Sequence, residues 1–188
     1  LMDGIVHLIA ERVRRTWCYI LSNKANDLQF YLIAFSSFLF FISHHIVSPI
    51  LPLHIVDVGA SKLELGMIMA IPSILIFALR VPLGMAADAV GHWRIMLFSL
   101  ALGSVYLVLY SIAPNIFWLY IAAASFAFPF AAFGPSAMVI AADMAPESKR
   151  GQAVGRYLSV IGMAMMSGPL ICSLLLVYLG YRMILGLS

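Results

Sequence analysis

The sequence predicts an all-α protein, a bundle of helices that crosses a membrane several times. Of its 188 residues, 63% are hydrophobic and only 10% are charged, and the mean hydropathy is +1.02. A soluble domain is nearer half apolar and a quarter charged. Most of the chain after residue 27 consists of uncharged stretches of about 20 residues or more, the length that a helix needs to cross a bilayer.

Charged residues and one turn divide these stretches into separate spans. The longest stretch without Asp, Glu, Lys or Arg lies between Arg94 and Asp143, and a Pro-Asn turn at residues 113–115 splits it in two. The predicted membrane spans are residues 28–53, 63–83, 95–112, 116–141 and 157–179, and a sixth span is expected to begin at Tyr181. Residues 28–188 are therefore predicted to form one transmembrane domain.

The few basic residues predict the orientation of the chain. The cytoplasmic side of a membrane protein usually carries the excess of Lys and Arg, and with the N-terminus inside only Lys62 and Arg182 fall outside. The residues assigned to the inside are Arg12, Arg14, Arg15, Lys24, Arg94, Lys149, Arg150 and Arg156. Residues 1–27 are predicted to be a basic cytoplasmic segment, either an amphipathic helix lying on the membrane or a disordered tail.

A loop that contains glycine and aspartate connects the second and third spans. Asp88 follows Gly84 by four residues, and Gly91 and Arg94 come next at steps of three. Gly84 would allow close approach to a neighbouring helix, Gly91 would allow a sharp backbone turn, and Asp88 offers a carboxylate to a helix N-terminus or a guanidinium. This spacing resembles the signature loop of the major facilitator superfamily, although Ala89 stands where that family usually has a basic residue.

A second resemblance to this family covers the loop after the fourth span and the fifth span itself. Asp143 and a proline precede Arg150, as in the family's second inner loop. In the fifth span, Gly168 and Pro169 resemble the Gly-Pro core of a motif found in many antiporter members, but alanine, cysteine and serine replace glycines that flank this core. Gly162, Gly168 and Pro169 are the predicted helix-packing residues, because small residues let membrane helices pack closely.

The resemblance implies an all-α bundle like the N-terminal half of a secondary transporter. Members move a small molecule by alternating access, commonly driven by protons, and the partial Gly-Pro match implies a slight preference for efflux of drugs or metabolites. A whole member has two six-helix halves with the substrate between them, so this chain is expected to be incomplete and to need a second half.

The family's equivalent of Asp88 is thought to latch the two halves in one conformation. The resemblance therefore implies a gating role for the inner loops, with the candidate residues Gly84, Asp88, Gly91, Arg94, Asp143 and Arg150. The alternative is that the charged members are solvated loop residues, since exposed ion pairs contribute little energy.

One stripe of the first span is polar. At about 100° per residue, Ser37, His44 and Ser48 fall on one face of a helix. Such a stripe normally faces protein or a water-filled cavity, and an ionisable residue within a membrane is by default a functional candidate. We therefore predict that His44, with Ser37 and Ser48, contacts a substrate or a proton. A neutral histidine that is hydrogen-bonded to a neighbouring helix explains the pattern equally well.

Several other functions are alternatives to transport. A truncated or split fragment that transports nothing and a half-size carrier that works as a dimer are the two alternatives within the same fold. The sequence has no zinc-binding histidine pair at helical spacing, no nucleophile elbow and no phosphate loop. Cys18 and Cys172 match no metal or redox spacing.

These absences lead us to expect no enzymatic activity, no cofactor and no metal. No nucleic-acid partner is expected, because the net charge of +3 forms no basic patch. The expected partners are the lipid bilayer, a small-molecule substrate and a second six-helix half. The expected location is the plasma membrane, which the chain crosses several times.

Overall fold

The computed structural model describes residues 27–184, and every regular element in this range is helical. The helices are α1 (Asp27–Val47), α2 (Leu51–Asp57), α3 (Lys62–Val90), α4 (His92–Ser111), α5 (Ile116–Asp143) and α6 (Arg150–Ile184), and a 3₁₀ turn covers Glu147–Lys149. Apart from Asp27, which begins α1, the predicted basic segment at residues 1–27 lies outside the described residues.

Five of the described helices, α1, α3, α4, α5 and α6, are long and apolar enough to cross a membrane. The 20 residues of α4 span about 30 Å, which matches the hydrocarbon thickness of a bilayer. Large apolar side chains cover the outside of the bundle, and Phe77 is 84% exposed. Such an apolar surface is stable in contact with lipid tails and unfavourable in water. The predicted fold class, an all-α bundle that crosses a membrane several times, is confirmed.

Helix α5 is the central helix of the bundle. Twelve of its 28 residues are buried, against three of the 29 residues of α3. It packs along α4 and α3 and over a shorter length against α6. Alanines such as Ala123 and Ala127 are completely buried, and small side chains of this kind let neighbouring helices approach closely. On α1, Phe40 stacks against Phe133 of α5 with ring centroids 4.1 Å apart.

Side-chain caps and one glycine set where the helices begin. At the start of α3, the Ser61 hydroxyl accepts a hydrogen bond from Glu64 N–H at 3.3 Å, and the Glu64 carboxylate accepts one from Ser61 N–H at 2.8 Å. This reciprocal pair is a capping box. At the start of α5, Asn115 Oδ1 accepts from Trp118 N–H at 3.2 Å. Gly91 joins α3 to α4 with a φ of +104°, a backbone angle that favours glycine.

The first predicted span is shorter in the structure. The sequence predicts one span over residues 28–53, whereas α1 ends at Val47 and a turn at residues 48–50 separates it from α2. Pro49 and Pro52 explain the break, because proline donates no backbone hydrogen bond and disfavours helical geometry in the residue before it.

The expected start of a sixth span at Tyr181 is wrong for the described residues. Helix α6 continues through Tyr181 to Ile184 without a break, because the single glycine before Tyr181 does not end a helix by itself. Helix α6 also begins seven residues before the predicted 157, and α3 runs to Val90 instead of 83. Both helices extend beyond their apolar stretches into residues predicted to be loops.

Candidate functional site

His44 lies inside the bundle, where α1 faces α4 and α5. Its Nδ1 shares a hydrogen bond with the hydroxyl of Tyr106 on α4, at 3.0 Å. Its ring stacks on Phe126 of α5, with ring centroids 4.4 Å apart and 18° between the planes. Two other helices therefore hold this imidazole, and its orientation depends on how α1, α4 and α5 pack together.

A cavity of about 240 Å³, called here the central cavity, lies beside the pair formed by His44 and Tyr106. Residues from α1 to α5 and from the turn between α1 and α2 line it, and none of them carries a permanent charge. Its polar lining consists of His44, Ser48, Ser73, Tyr106 and Tyr110, and its aromatic lining also includes Phe126 and Phe130. The cavity therefore offers hydrogen-bonding groups and aromatic faces. It holds no permanent charge, and it would become positively charged if His44 bound a proton.

A smaller cavity of about 140 Å³ lies between α1 and α4, and His44 and Tyr106 also line it. The pair thus forms a wall that the two cavities share. Gly103 lines this smaller space, and a Cβ at that position would lie 2.8 Å from the ring of Phe40. The close approach of α1 and α4 at Gly103 therefore brings His44 within reach of Tyr106.

The three residues of the predicted polar stripe do not share one cavity. Ser48 lines the central cavity with His44, whereas Ser37 does not and is completely buried. Seven residues of helix separate Ser37 from His44, which is about 10 Å along α1. The Ser37 hydroxyl has no hydrogen-bond partner among residues 27–184. The stripe thus extends beyond the central cavity: His44 and Ser48 lie beside the cavity, and Ser37 lies farther along α1. The helical period predicts which residues share a face, but it does not predict how far a cavity extends along that face.

The two motif-bearing loops contain one carboxylate–histidine contact and one ion pair, and each is local to one helix junction. Asp88 Oδ1 lies 3.2 Å from Nε2 of His92 at the start of α4, and the Asp88 side chain is 76% exposed. At the junction of α5 and α6, Arg150 Nη2 lies 3.7 Å from Asp143 Oδ1. Arg94 is exposed, and within the described part of the chain no carboxylate lies within 4.0 Å of it. No ion pair among residues 27–184 joins the two loops.

The two glycines of the first inner loop have different surroundings. Gly91 makes the sharp turn that its position in the motif suggests, with a positive φ between α3 and α4. Gly84 lies within α3, and a Cβ added there would meet nothing within 4 Å. The close helix approach expected at Gly84 is therefore not formed by residues 27–184, because this face of α3 has no neighbour among them.

The predicted packing residues of α6 also separate into two groups. A Cβ at Gly168 would lie 2.8 Å from the backbone carbonyl carbon of His45, so α6 and α1 are in close contact there. Ala164, one turn earlier on the same face, is completely buried. Gly162 faces open space, with nothing within 4 Å of an added Cβ. Pro169 is exposed, and α6 continues through it.

Sequence reasoning missed the partners of the candidate residues. Nothing in the sequence distinguishes Tyr106 or Phe126 from the many other aromatic residues of the spans, so only the packing of three helices identifies them. The pairing of His92 with Asp88 had a signal, since the two residues are four apart. The predicted residues include Arg94 and not His92, because the family's loop motif has a basic residue at the position of Arg94.

The long apolar helices, the exposed apolar surface and the motif-bearing loops define an integral membrane protein that crosses the bilayer several times. A family model of the Major Facilitator Superfamily matches residues 33–188. The chain therefore belongs to the Major Facilitator Superfamily, a family of membrane transporters, and the resemblance seen in its two loops is confirmed. A comparison with curated proteins finds no match.

Proposed function

We propose that this chain forms part of a proton-coupled secondary carrier that moves a small molecule across the plasma membrane by alternating access. Membership of the family supports membrane transport in general. The observation that carries the finer proposal is the hydrogen bond of 3.0 Å between His44 and Tyr106 at the wall of the central cavity. An apolar cavity with a few convergent polar groups is the usual form of a small-molecule site.

The lining of the central cavity favours a largely apolar substrate with at least one hydrogen-bonding group. Aromatic faces would contact the apolar part, and His44, Ser48 and Ser73 would meet the polar part. Its volume of about 240 Å³ is below the roughly 300–1,000 Å³ of sites that enclose a drug-sized ligand. The cavity is thus the right size for one side of a site that a second half completes, and drugs or metabolites for efflux fit this lining.

His44 is the proposed proton carrier. In its neutral form Nδ1 can accept a hydrogen bond from the Tyr106 hydroxyl, but a protonated imidazole has hydrogen on both nitrogens and must donate to the tyrosine oxygen instead. Proton binding would therefore reverse the bond and release the hydroxyl hydrogen of Tyr106 toward the cavity. A substrate that accepts this hydrogen would be held while His44 is protonated and released when the proton leaves.

We further propose that a second six-helix half covers α3 and closes the central cavity. Met69 and Ser73 of α3 line this cavity and are exposed, and α3 buries only three residues. Asp88, with His92, is the proposed latch at the inner end of α3, on the cytoplasmic side together with the N-terminus. A fragment without transport and a half-size carrier that dimerises are the competing functions.

Vesicles with an imposed pH gradient test this proposal. The chain is reconstituted alone and with the second half encoded downstream, if the reading frame continues, and challenged with lipophilic cations, neutral aromatic compounds, sugars and amino acids. Transport only with the second half supports a two-half carrier, and transport by the chain alone supports the half-size carrier. Absence of transport in both preparations, with the helices shown to be inserted, overturns the proposal in favour of an inert fragment.

A pair of matched variants tests the role of the cavity itself. Tyr106→Phe removes the hydroxyl that bonds to His44, whereas Tyr178→Phe removes the same group from a side chain that is 82% exposed. We expect slower transport for the first variant and unchanged transport for the second. Equal rates for both would remove the pair of His44 and Tyr106 from the transport path.

A further inference from the structure

A third pocket, of about 240 Å³, lies at the opposite end of α1 from the turn that precedes α2. It is formed by the start of α1, the end of α5 and the start of α6, and we call it the end pocket. We propose that the end pocket binds the phosphodiester headgroup of an anionic phospholipid of the inner leaflet. This site does not overlap the central cavity, since the two share no lining residue.

The 3₁₀ turn and the first turns of α6, which follow each other without a break, supply the polar wall of the end pocket. Lys149, Gln152, Ala153 and Arg156 line it, and their spacing of three, four and seven residues places them on one side of a helix. Ala153 is buried and forms part of the floor. The ammonium of Lys149, the amide of Gln152 and the guanidinium of Arg156 can therefore converge on one anion.

The charge of the end pocket favours a phosphate group. Its lining contains Lys149 and Arg156 against a single acid, Asp27. Within residues 27–184, neither cation has a carboxylate within 4.0 Å, whereas the adjacent Arg150 pairs with Asp143 at 3.7 Å. Lys149 and Arg156 thus retain donors for an external anion, and a guanidinium binds a phosphate through two parallel hydrogen bonds.

The surroundings of the end pocket favour a lipid as the source of this phosphate. Phe30 and Tyr31 of α1 also line it, and aromatic side chains of this kind concentrate at the boundary between membrane and water. Along α1, Leu32 and Phe35 are 56% and 60% exposed. A lipid whose headgroup occupies the end pocket would therefore have apolar surface nearby for its acyl chains, which a free phosphate ion does not need.

Native mass spectrometry of the purified chain with dioctanoyl phosphatidylglycerol tests the proposal, with dioctanoyl phosphatidylcholine and inorganic phosphate as comparison ligands. The test variant combines Lys149→Gln with Arg156→Gln. The control combines Lys62→Gln with Arg80→Gln, which removes the same charge from residues outside the end pocket. Circular dichroism and size-exclusion elution check that each variant is folded.

We expect the test variant to bind phosphatidylglycerol about 30-fold more weakly, since each basic residue near an anionic lipid surface contributes about 1 kcal/mol, or about fivefold. The control should bind within about twofold of the wild type. Asp27→Asn should bind more tightly, because it removes the one acid of the lining, and this variant tests the site even if the double variant does not fold.

Four results would overturn the proposal. Equal loss in the test and control variants would mean that phosphatidylglycerol follows net charge alone, and no loss in the test variant would place its site elsewhere. Inorganic phosphate that competes with the lipid at equal affinity would show that the end pocket recognises a free anion. Phosphatidylcholine binding as tightly as phosphatidylglycerol would show that the headgroup charge has no role.

Discussion

Replacement of Gly168 by alanine is expected to weaken the contact between α6 and α1. A Cβ at this position would lie 2.8 Å from the backbone carbonyl carbon of His45, an atom that cannot rotate away. Carbon atoms in favourable contact are about 3.5–4.0 Å apart, so the two helices must separate locally by roughly 1 Å. Overpacking of this kind costs about 1–3 kcal/mol, and we expect a loss of that size in the free energy of unfolding.

Gly162→Ala is the matched control, because it makes the same change in the same helix where a Cβ meets nothing within 4 Å. Both variants are purified in mixed micelles and unfolded with a denaturing detergent, and circular dichroism follows the loss of helix. Gly162→Ala should be as stable as the wild type or slightly more stable, since alanine is the better helix former. Equal stability of the two variants would refute the close contact at Gly168.

Three further predictions concern a cap, the central cavity and the inner loop. Ser61→Ala should lower the free energy of unfolding by about 0.5–2 kcal/mol, because it removes the hydroxyl of the capping box, and the same detergent titration measures this. In a background without native cysteines, Ser48→Cys should react with a small water-soluble maleimide and Val108→Cys should not, since Ser48 lines the cavity whereas Val108 is exposed on the apolar outer surface of α4; equal labelling would contradict this. Asp88→Asn should change stability by less than about 1 kcal/mol, because its pair with His92 is exposed, yet slow turnover of the complete carrier; an unchanged turnover would remove its gating role.

The sequence was sufficient to predict the membrane bundle, because length and charge alone determine where a helix can cross a bilayer. It was less reliable where a local signal competes with packing. Pro49 and Pro52 end the first helix within an apolar stretch, and the glycine before Tyr181 does not end the last one. Apolarity predicts which residues avoid water, but it does not say where the backbone turns.

The candidate site also combines features that the sequence predicts with features that only helix packing determines. The helical period predicts that His44 belongs to an inward-facing polar stripe, and His44 lies beside a cavity in the bundle. Its contact with a substrate or a proton stays a prediction. It did not reveal that Ser37 is packed out of reach of that cavity, or that Tyr106 of α4 is the partner of His44. Both facts depend on the depth and spacing of neighbouring helices, which a single helical face does not specify.

We propose that His44 takes up a proton in the transport cycle. Glutamine at position 44 can still form a hydrogen bond to Tyr106 but cannot bind a proton. His45→Gln is the matched control, because Nδ1 of His45 bonds within its own helix, to the carbonyl of Phe41 at 2.7 Å. The most direct measurement is transport by the complete carrier in vesicles, with and without a pH gradient. We expect His44→Gln to abolish the response to the gradient and His45→Gln to retain it, and a full response in His44→Gln would contradict proton uptake by His44.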